Sequence, residues 1–198
     1  MSPRRQTSVR VTSRLQWAAI DSAVRIELWE ALRSNGPCSV RELAQLMDRP
    51  ADGLYQHLRK LERAGLIVET EQRPAGTQRE AVYDVTGNDL DFDFDQSTGR
   101  NVTRLTRLFA TTIRCAGRSI EAALASSQVN ISKSRNDFTV RWDVSWLNES
   151  DLAAIREHQR AMLDILERGR TRREGRLFAV MTYLVPQLRG RTSAGNAE

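Results

Sequence analysis

Cysteine, histidine and lysine are each present only twice among 198 residues. Cys38 and Cys115 stand far apart, no Cys-x-x-Cys occurs, and His57 and His158 are isolated, so the chain shows neither a metal-ligand spacing nor a disulfide framework. Both cysteines are expected to pack as small apolar groups, a redox role for Cys115 being the lesser alternative. No apolar run approaches the ~20 residues of a membrane span. Arg4 and Arg5 have no apolar stretch behind them, so a secretory leader is not expected and a cytoplasmic, nucleoid-associated protein is. A glycine-rich phosphate loop, a nucleophile with a partnered base and a metal cluster are all missing, which argues against an enzyme and against a bound cofactor. The alternating aspartates Asp89, Asp91, Asp93 and Asp95 lack the spacing and glycine of a calcium loop. The sequence contains no internal repeat.

What is present is arginine. Apolar residues make up 40% of the chain, enough for a core, and the net charge of +5 is almost entirely arginine, with Lys60 and Lys133 the only lysines. Arg4, Arg5, Arg10 and Arg14 fall in residues 1–14 without an acid, and the four aspartates fall in 88–99 without a base. Basic patches of this kind fit a polyanionic partner. Residues 1–12 read as a flexible basic arm and 88–97 as an acidic linker, in which Phe92 and Phe94 alternate with aspartates and are placed to dock on a neighbour.

Helical spacing is clearest between positions 13 and 65. Residues 13–35 carry two apolar faces and predict one long helix buried on both sides, stopped at Gly36-Pro37. Ser39 and Glu42 form a capping box with Cys38 and Leu43 as its staple, and Val40, Leu43, Leu46 and Met47 face inward. After a break at Asp48-Arg49-Pro50, Pro50 opens a third helix. There Leu54, Leu58, Leu61 and Ala64 make a core stripe, leaving Asp52, Tyr55, Gln56, Arg59, Lys60 and Arg63 on other faces. Gly65 stops that helix in a left-handed conformation. Segments 66–68 and 81–85 read as paired strands around a polar loop at 72–79. The order is helix, turn, helix, wing, a plan whose first use is to set one helix in the major groove of DNA.

The second half predicts helix, strand, helix, strand. From 98 a long helix carries an apolar stripe through Val102, Leu105, Phe109, Ile113, Ala116, Ile120 and Leu124. Arg100, Arg104, Arg107, Arg114 and Arg118 share another face, either solvated or touching DNA phosphates or the acidic linker. Residues 138–146 alternate as a strand. Asn148 then caps a helix, with Asp151 at the third helical position and Leu147 and Leu152 as staple; its seam is Leu152, Ile155, Gln159, Met162 and Leu166. Gly169 ends it, a basic loop follows, 177–185 is strand-like and Pro186 stops it. The fold class is thus mainly α with a small β component (α+β). A winged helix-turn-helix at 13–87 is followed by a dimerisation or accessory region at 98–188 and a disordered tail at 189–198.

One pattern within this plan carries a resemblance. Tyr55 and the run His-Leu-x-x-Leu-x-x-Ala-Gly-Leu formed by His57, Leu58, Leu61, Ala64, Gly65 and Leu66 make residues 13–87 resemble the winged-helix DNA-binding domain of the ArsR-like transcriptional regulators. Residues 130–186 look like the accessory half of a subgroup of them. The resemblance implies a DNA-binding regulator. Metal sensing, common among such regulators, is not implied, because the vicinal cysteines and paired ligands are missing.

Physical chemistry then assigns roles. Ala51, Asp52, Tyr55 and Gln56 are placed to meet base edges, Gln56 pairing with adenine and Asp52 accepting from a cytosine amine. Arg59 and Lys60 suit phosphates, which fix register without reading sequence. Arg73, Thr77, Gln78 and Arg79 on the wing reach backbone or minor groove, and Ser39 and Arg41 offer a phosphate site at a helix start. His57 is either a DNA contact or pH sensor or, more simply, a scaffold residue beside Leu58. Two half-sites require a dimer, expected through Trp17, Ile20, Val24, Leu105, Phe109 and Ile113. Phe138, Trp142, Trp146, Met162 and Tyr183 are either core or the lining of a site for an unidentified small-molecule effector. The expected function is a sequence-specific regulator, most simply a repressor, acting as a homodimer on a palindrome in double-stranded DNA. The alternative is a winged-helix protein-interaction module, in which Arg59, Lys60, Arg73 and Arg79 need not converge.

Overall fold

Leucines spaced four and three residues apart set the architecture: Leu54, Leu58 and Leu61 are all fully buried, on one stripe of a single helix. The computed structural model describes residues 5–76, 78–92, 99–126, 129 and 138–187, with only the backbone at Gln78, Gly99 and Arg100. Its elements run β1 (Gln6–Val11), α1 (Arg14–Ile20), α2 (Ala23–Asn35), β2 (Cys38–Ser39), α3 (Val40–Leu46), α4 (Ala51–Arg63), β3 (Ile67–Ala75), β4 (Gln78–Val85), β5 (Gly87–Phe92), α5 (Gly99–Ala125) and α6 (Glu149–Arg172). The expected α+β class with an N-terminal winged helix is what the chain forms. Its core joins Leu28 and Leu32 of α2, Val40 and Leu43 of α3 and the leucines of α4 to Leu66, Ile67 and Val85.

Local chemistry explains the helix ends. Ser39 accepts from the Glu42 amide at 3.3 Å while the Glu42 carboxylate accepts from the Ser39 amide at 2.7 Å, so the expected capping box holds α3. Asp48, at φ 49°, reverses the chain, and Pro50 caps α4 in extended conformation. At the other end Gly65 takes φ 70°. Its amide donates to the Glu62 carbonyl at 2.8 Å, and the Leu66 amide donates to the Leu61 carbonyl at 3.0 Å. That is a Schellman closure, accompanied by burial of Leu61 and Leu66 together.

Several expectations are corrected. The single helix over 13–35 is two, broken at Asp21-Ser22: Ser22 is extended and its carbonyl accepts from both Arg25 and Ile26. The two apolar faces therefore belong to two helices. The wing has almost no loop. β3 pairs antiparallel with β4 out to Ala75 opposite Gln78, leaving only positions 76 and 77 between them, and β2 adds to the other side of β4 in the order β2-β4-β3. Residues 6–11, expected as part of a flexible arm, form β1, which pairs in parallel with β5 from the expected acidic linker, Gln6 opposite Gly87 and Val11 opposite Phe92. The alternation Val9, Val11 against Leu90, Phe92 packs these strands on the core, and Phe92 lies 5.6 Å from Trp17 between ring centroids. Positions 1–4, 93–98 and 188–198, including Phe94 and the expected tail, lie outside the described residues.

Arg5 fixes the start of β1. Its Nε donates to Asp84 at 2.9 Å, and its other nitrogens donate to the Leu32 and Arg33 carbonyls at 3.3 Å, a cation at the negative end of α2. α5 lies against the first helices through Leu105, Leu108 and Thr111. Of its described arginines, Arg104 stacks on Trp17, Arg118 pairs with Glu27 and Arg107, though exposed, faces Asp21, whereas Arg114 is exposed and donates to Thr111 of the same helix. The expected arginine face is thus partly docked on the first helices and partly solvated.

Beyond α5 the expected strands do not form within the chain. Residues 138–146 and 177–185 belong to no helix or strand among the described residues, and no residue from 138 to 187 is buried. Asn148 caps α6 as expected, accepting from the Asp151 amide at 3.0 Å.

Candidate nucleic-acid interface

α4 is buried on one side and bare on the other. With its leucines in the core, Asp52, Tyr55, Gln56, Arg59 and Lys60 stand exposed, and among the described residues none of these side chains makes a hydrogen bond or ion pair. Ala51 is half-buried at the first turn, beside them. Tyr55 and Arg59, one turn apart, border the sheet. The Tyr83 hydroxyl there is pushed up by burial and by Glu62 and Glu69, with Arg59 opposing. Hydrogen-bonding and cationic groups thus lie along one helix edge next to a β-hairpin, the layout in which a helix reads base edges and a wing meets the backbone.

Other expected site residues are occupied. Ser39 is buried and its hydroxyl is engaged as the α3 cap. The next amide of that helix, at Arg41, donates to the Glu80 carboxylate at 2.9 Å. The helix start therefore already holds two carboxylates of its own chain, and Ser39 is a structural cap rather than a phosphate ligand; the Arg41 side chain remains exposed. On the wing, Arg73 pairs with Glu71 at 2.7 Å and Glu42 at 3.6 Å, and Arg79 donates to the Gln72 carbonyl at 3.1 Å. Thr77 and the Gln78 side chain lie outside the described residues.

His57 turns toward the scaffold. Its Nδ1 is buried with no hydrogen-bond partner. Burial first, then the nearby charges of Arg25, Lys60 and Arg49, hold its pKa below the usual histidine value. A neutral ring packed beside cations is a scaffold group.

Two residues were missing from the expected site. Arg63 extends the exposed basic edge of α4 by one turn. Gly53 lies exposed in its first turn, and a Cβ there would meet nothing within 4 Å. A glycine in a helix costs about 0.5–1 kcal/mol relative to alanine, and since no packing inside the chain requires it, this position leaves the helix backbone open to close approach. The signal was visible as a glycine interrupting a helical pattern.

The expected dimer residues divide. Trp17, Ile20 and Leu105 are buried in the chain's own core and Val24 is half-buried, whereas Phe109 and Ile113 are 51% and 57% exposed. The aromatics expected to line an effector site are open to solvent, Trp142 at 77% and Trp146 at 82%. A cleft of about 210 Å³ lies instead between α1 and α5, lined by Arg14, Trp17, Ile20, Arg104, Arg107 and Leu108. Among the described residues no group of three histidine, cysteine or acidic side chains could hold a metal, and no helix is long and apolar enough to cross a membrane.

A family model for a helix-turn-helix domain matches residues 20–70, from the last residue of α1 into β3. No curated protein matches the chain. Among solved structures, the disulfide-formed AbfR is similar at 13% identity and a TM-score of 0.30, over 50% of this chain and 63% of that one. An ArsR family transcriptional regulator is similar at 20% identity and a TM-score of 0.28, over 52% of this chain and 93% of that one.

Proposed function

We propose that this chain, a winged helix-turn-helix DNA-binding regulator, represses transcription as a homodimer on a palindromic operator in cytoplasmic DNA. The observation that carries the reading is the divided surface of α4. The packed side is buried, and the exposed side holds Asp52, Tyr55, Gln56, Arg59, Lys60 and Arg63 without hydrogen-bond or ion-pair partners among the described residues. Gln56 and Asp52 read base edges, Tyr55 packs in the groove, Arg59, Lys60 and Arg63 hold phosphates, and open space at Gly53 lets the helix seat closely. On the wing, Arg79 and the tip reach the adjacent backbone, while Arg73 must exchange its carboxylate partners for phosphate.

Dimerisation is assigned to the outer face of α5. Val102, Phe109, Ile113, Ile120 and Leu124 are each at least 36% exposed. The steps from Val102 to Ile113 to Leu124, and from Phe109 to Ile120, are eleven residues, which keeps the stripe on one side of a nearly straight helix. Two such stripes packed together set the spacing of the recognition helices, and a dimer seated on an operator represses by excluding other proteins. The α1–α5 cleft, lined by Arg14, Arg104 and Arg107 with Asp21, and with Arg104 over Trp17, suits a small anionic effector with an apolar body.

Selection of bound duplexes from a random pool tests the reading. An enriched palindrome with half-sites about one DNA turn apart is expected. Gln56→Ala should relax the preference at one position at about 1–3 kcal/mol, and Arg59→Ala should weaken all sequences and lower the salt slope by about 1. Failure to enrich any sequence, with affinity unchanged in both variants, rejects it.

A further inference from the structure

The region from 138 to 187 contains a formed helix and no core. Along α6, Leu163 and Ile165 are 56% and 60% exposed, and the flanking segments expose Trp142 at 77%, Trp146 at 82% and Tyr183 at 61%. Aromatic side chains bury ~150–250 Å² each when packed. The exposed aromatics and their aliphatic neighbours therefore exceed both the few hundred Å² a monomer tolerates and the ~800 Å² per partner of a stable interface.

The two segments differ in pattern. In 138–146, Val140, Trp142 and Val144 alternate with Arg141 and Asp143, which pair at 2.6 Å. That is the sequence pattern of a strand with one wet face, protected by charge as an edge strand should be. Segment 177–185 has no charge and is apolar at all but Thr182 and Tyr183, the pattern of a strand covered on both faces inside a sheet. It already runs back along α6, where the Gln159 amide donates to the Thr182 hydroxyl at 2.8 Å. A strand, a helix of 24 residues and a returning strand form a parallel crossover unit. Among the described residues, 138–146 is the segment one chain offers 177–185 as a neighbour, and two strands alone are not a stable sheet.

We infer that a second copy of this chain supplies the other side: the two 177–185 strands pair antiparallel across a twofold axis, and segment 138–146 closes each outer edge. The inference rests on the homodimer reading above and adds a second, β-sheet interface to the α5 seam. The four-stranded sheet covers the exposed aromatics and gives α6 a surface for its apolar stripe.

Cysteine scanning in the full chain tests it. Ala179→Cys, Val180→Cys, Met181→Cys, Thr182→Cys and Tyr183→Cys are each oxidised and compared with the parent, whose Cys38 and Cys115 set the background, and with His158→Cys on the exposed side of α6. Across an antiparallel pair, Cα atoms stand ~4.5–5.5 Å apart, within disulfide reach. Disulfide-linked dimer should peak at one position, fall on both sides and stay at background for His158→Cys, while circular dichroism and sedimentation show a folded dimer. A flat profile in a chain that sediments as a dimer overturns the strand pairing and leaves the homodimer standing on α5. A chain that sediments as a monomer overturns both. In that case a bridge between Trp142→Cys and Met181→Cys within one chain, or flotation with phosphatidylglycerol vesicles, identifies the chain itself or a lipid surface as what covers the strand.

Discussion

Residues 5–92 and 138–187 use the same local chemistry to opposite effect. Ser13, Ser39 and Asn148 each head a capping box, and the helices behind them all form. In the first region the apolar stripes meet, so that Leu28, Leu43, Leu58 and Leu61 are sealed, whereas in the second nothing from 138 to 187 is buried. A helix satisfies its backbone from its own residues; a strand does not, and a hydrophobic stripe stabilises nothing until it finds a surface. The winged helix is therefore complete in one chain, and the second region is built to be completed.

Four comparisons would break or sharpen that contrast. Leu58→Ala should cost about 2–5 kcal/mol, while Leu163→Ala on exposed α6 should change monomer stability by no more than about 0.5 kcal/mol; urea unfolding at low protein concentration reads both, and equal costs would erase the distinction. Arg5→Ala leaves the buried Asp84 carboxylate without its cation. Because the Arg5 side chain is itself 18% exposed, the loss should fall somewhat below the about 3–5 kcal/mol of a fully buried pair. An unchanged melting temperature would return residues 5–11 to the status of a loose arm. Ser39→Ala and Asn148→Ala should each cost about 1 kcal/mol of helix capping. In hydrogen exchange the first should be felt throughout the winged helix, the second only in the first turns of α6. The smallest effect is pH. Burial and three nearby cations lower the His57 pKa in the folded chain, so the unfolded chain takes up its proton at the higher pH. Stability should hold above about pH 6.5 and fall as pH drops below it. A melting scan from pH 7.5 to 5.5 should be steeper for the parent than for His57→Gln.

How legible each part was follows from the range of the interactions involved. The caps at Ser39 and Asn148, the α4 leucine stripe and the Gly65 stop depend on residues within a turn of one another, and all appear where the spacing puts them. The exposed edge of α4 follows from the stripe, since what remains of a helix after its core face is removed must face outward. What escaped was nonlocal. β1 looks like a tail because its partner β5 is some eighty positions away and carries aspartates that resemble a linker. The start of α3 looked open to phosphate because the Glu80 carboxylate, which accepts from the Arg41 amide there, lies on β4. Arg104, Arg107 and Arg118 sit on a helix face that reads as solvated until Trp17, Asp21 and Glu27 arrive from the first helices. The break at Asp21-Ser22 was visible in retrospect: two polar, cap-forming residues between helices whose apolar faces did not align.

The parallel pairing of β1 with β5 has a consequence for how the chain is made. Arg5 and Gln6 leave the ribosome about eighty residues ahead of the Asp84 carboxylate and the Gly87 register that hold them. Closing a loop of that size adds little free energy beyond closing a shorter one, because the entropic cost rises only with the logarithm of length, but it sets an order of events. The four helices and the wing can assemble as they appear, while the N-terminal strand waits. The last step in folding the DNA-reading unit is then the capture of its first residues, and a growing chain halted before Phe92 would hold the recognition helix without the clamp that locks its scaffold.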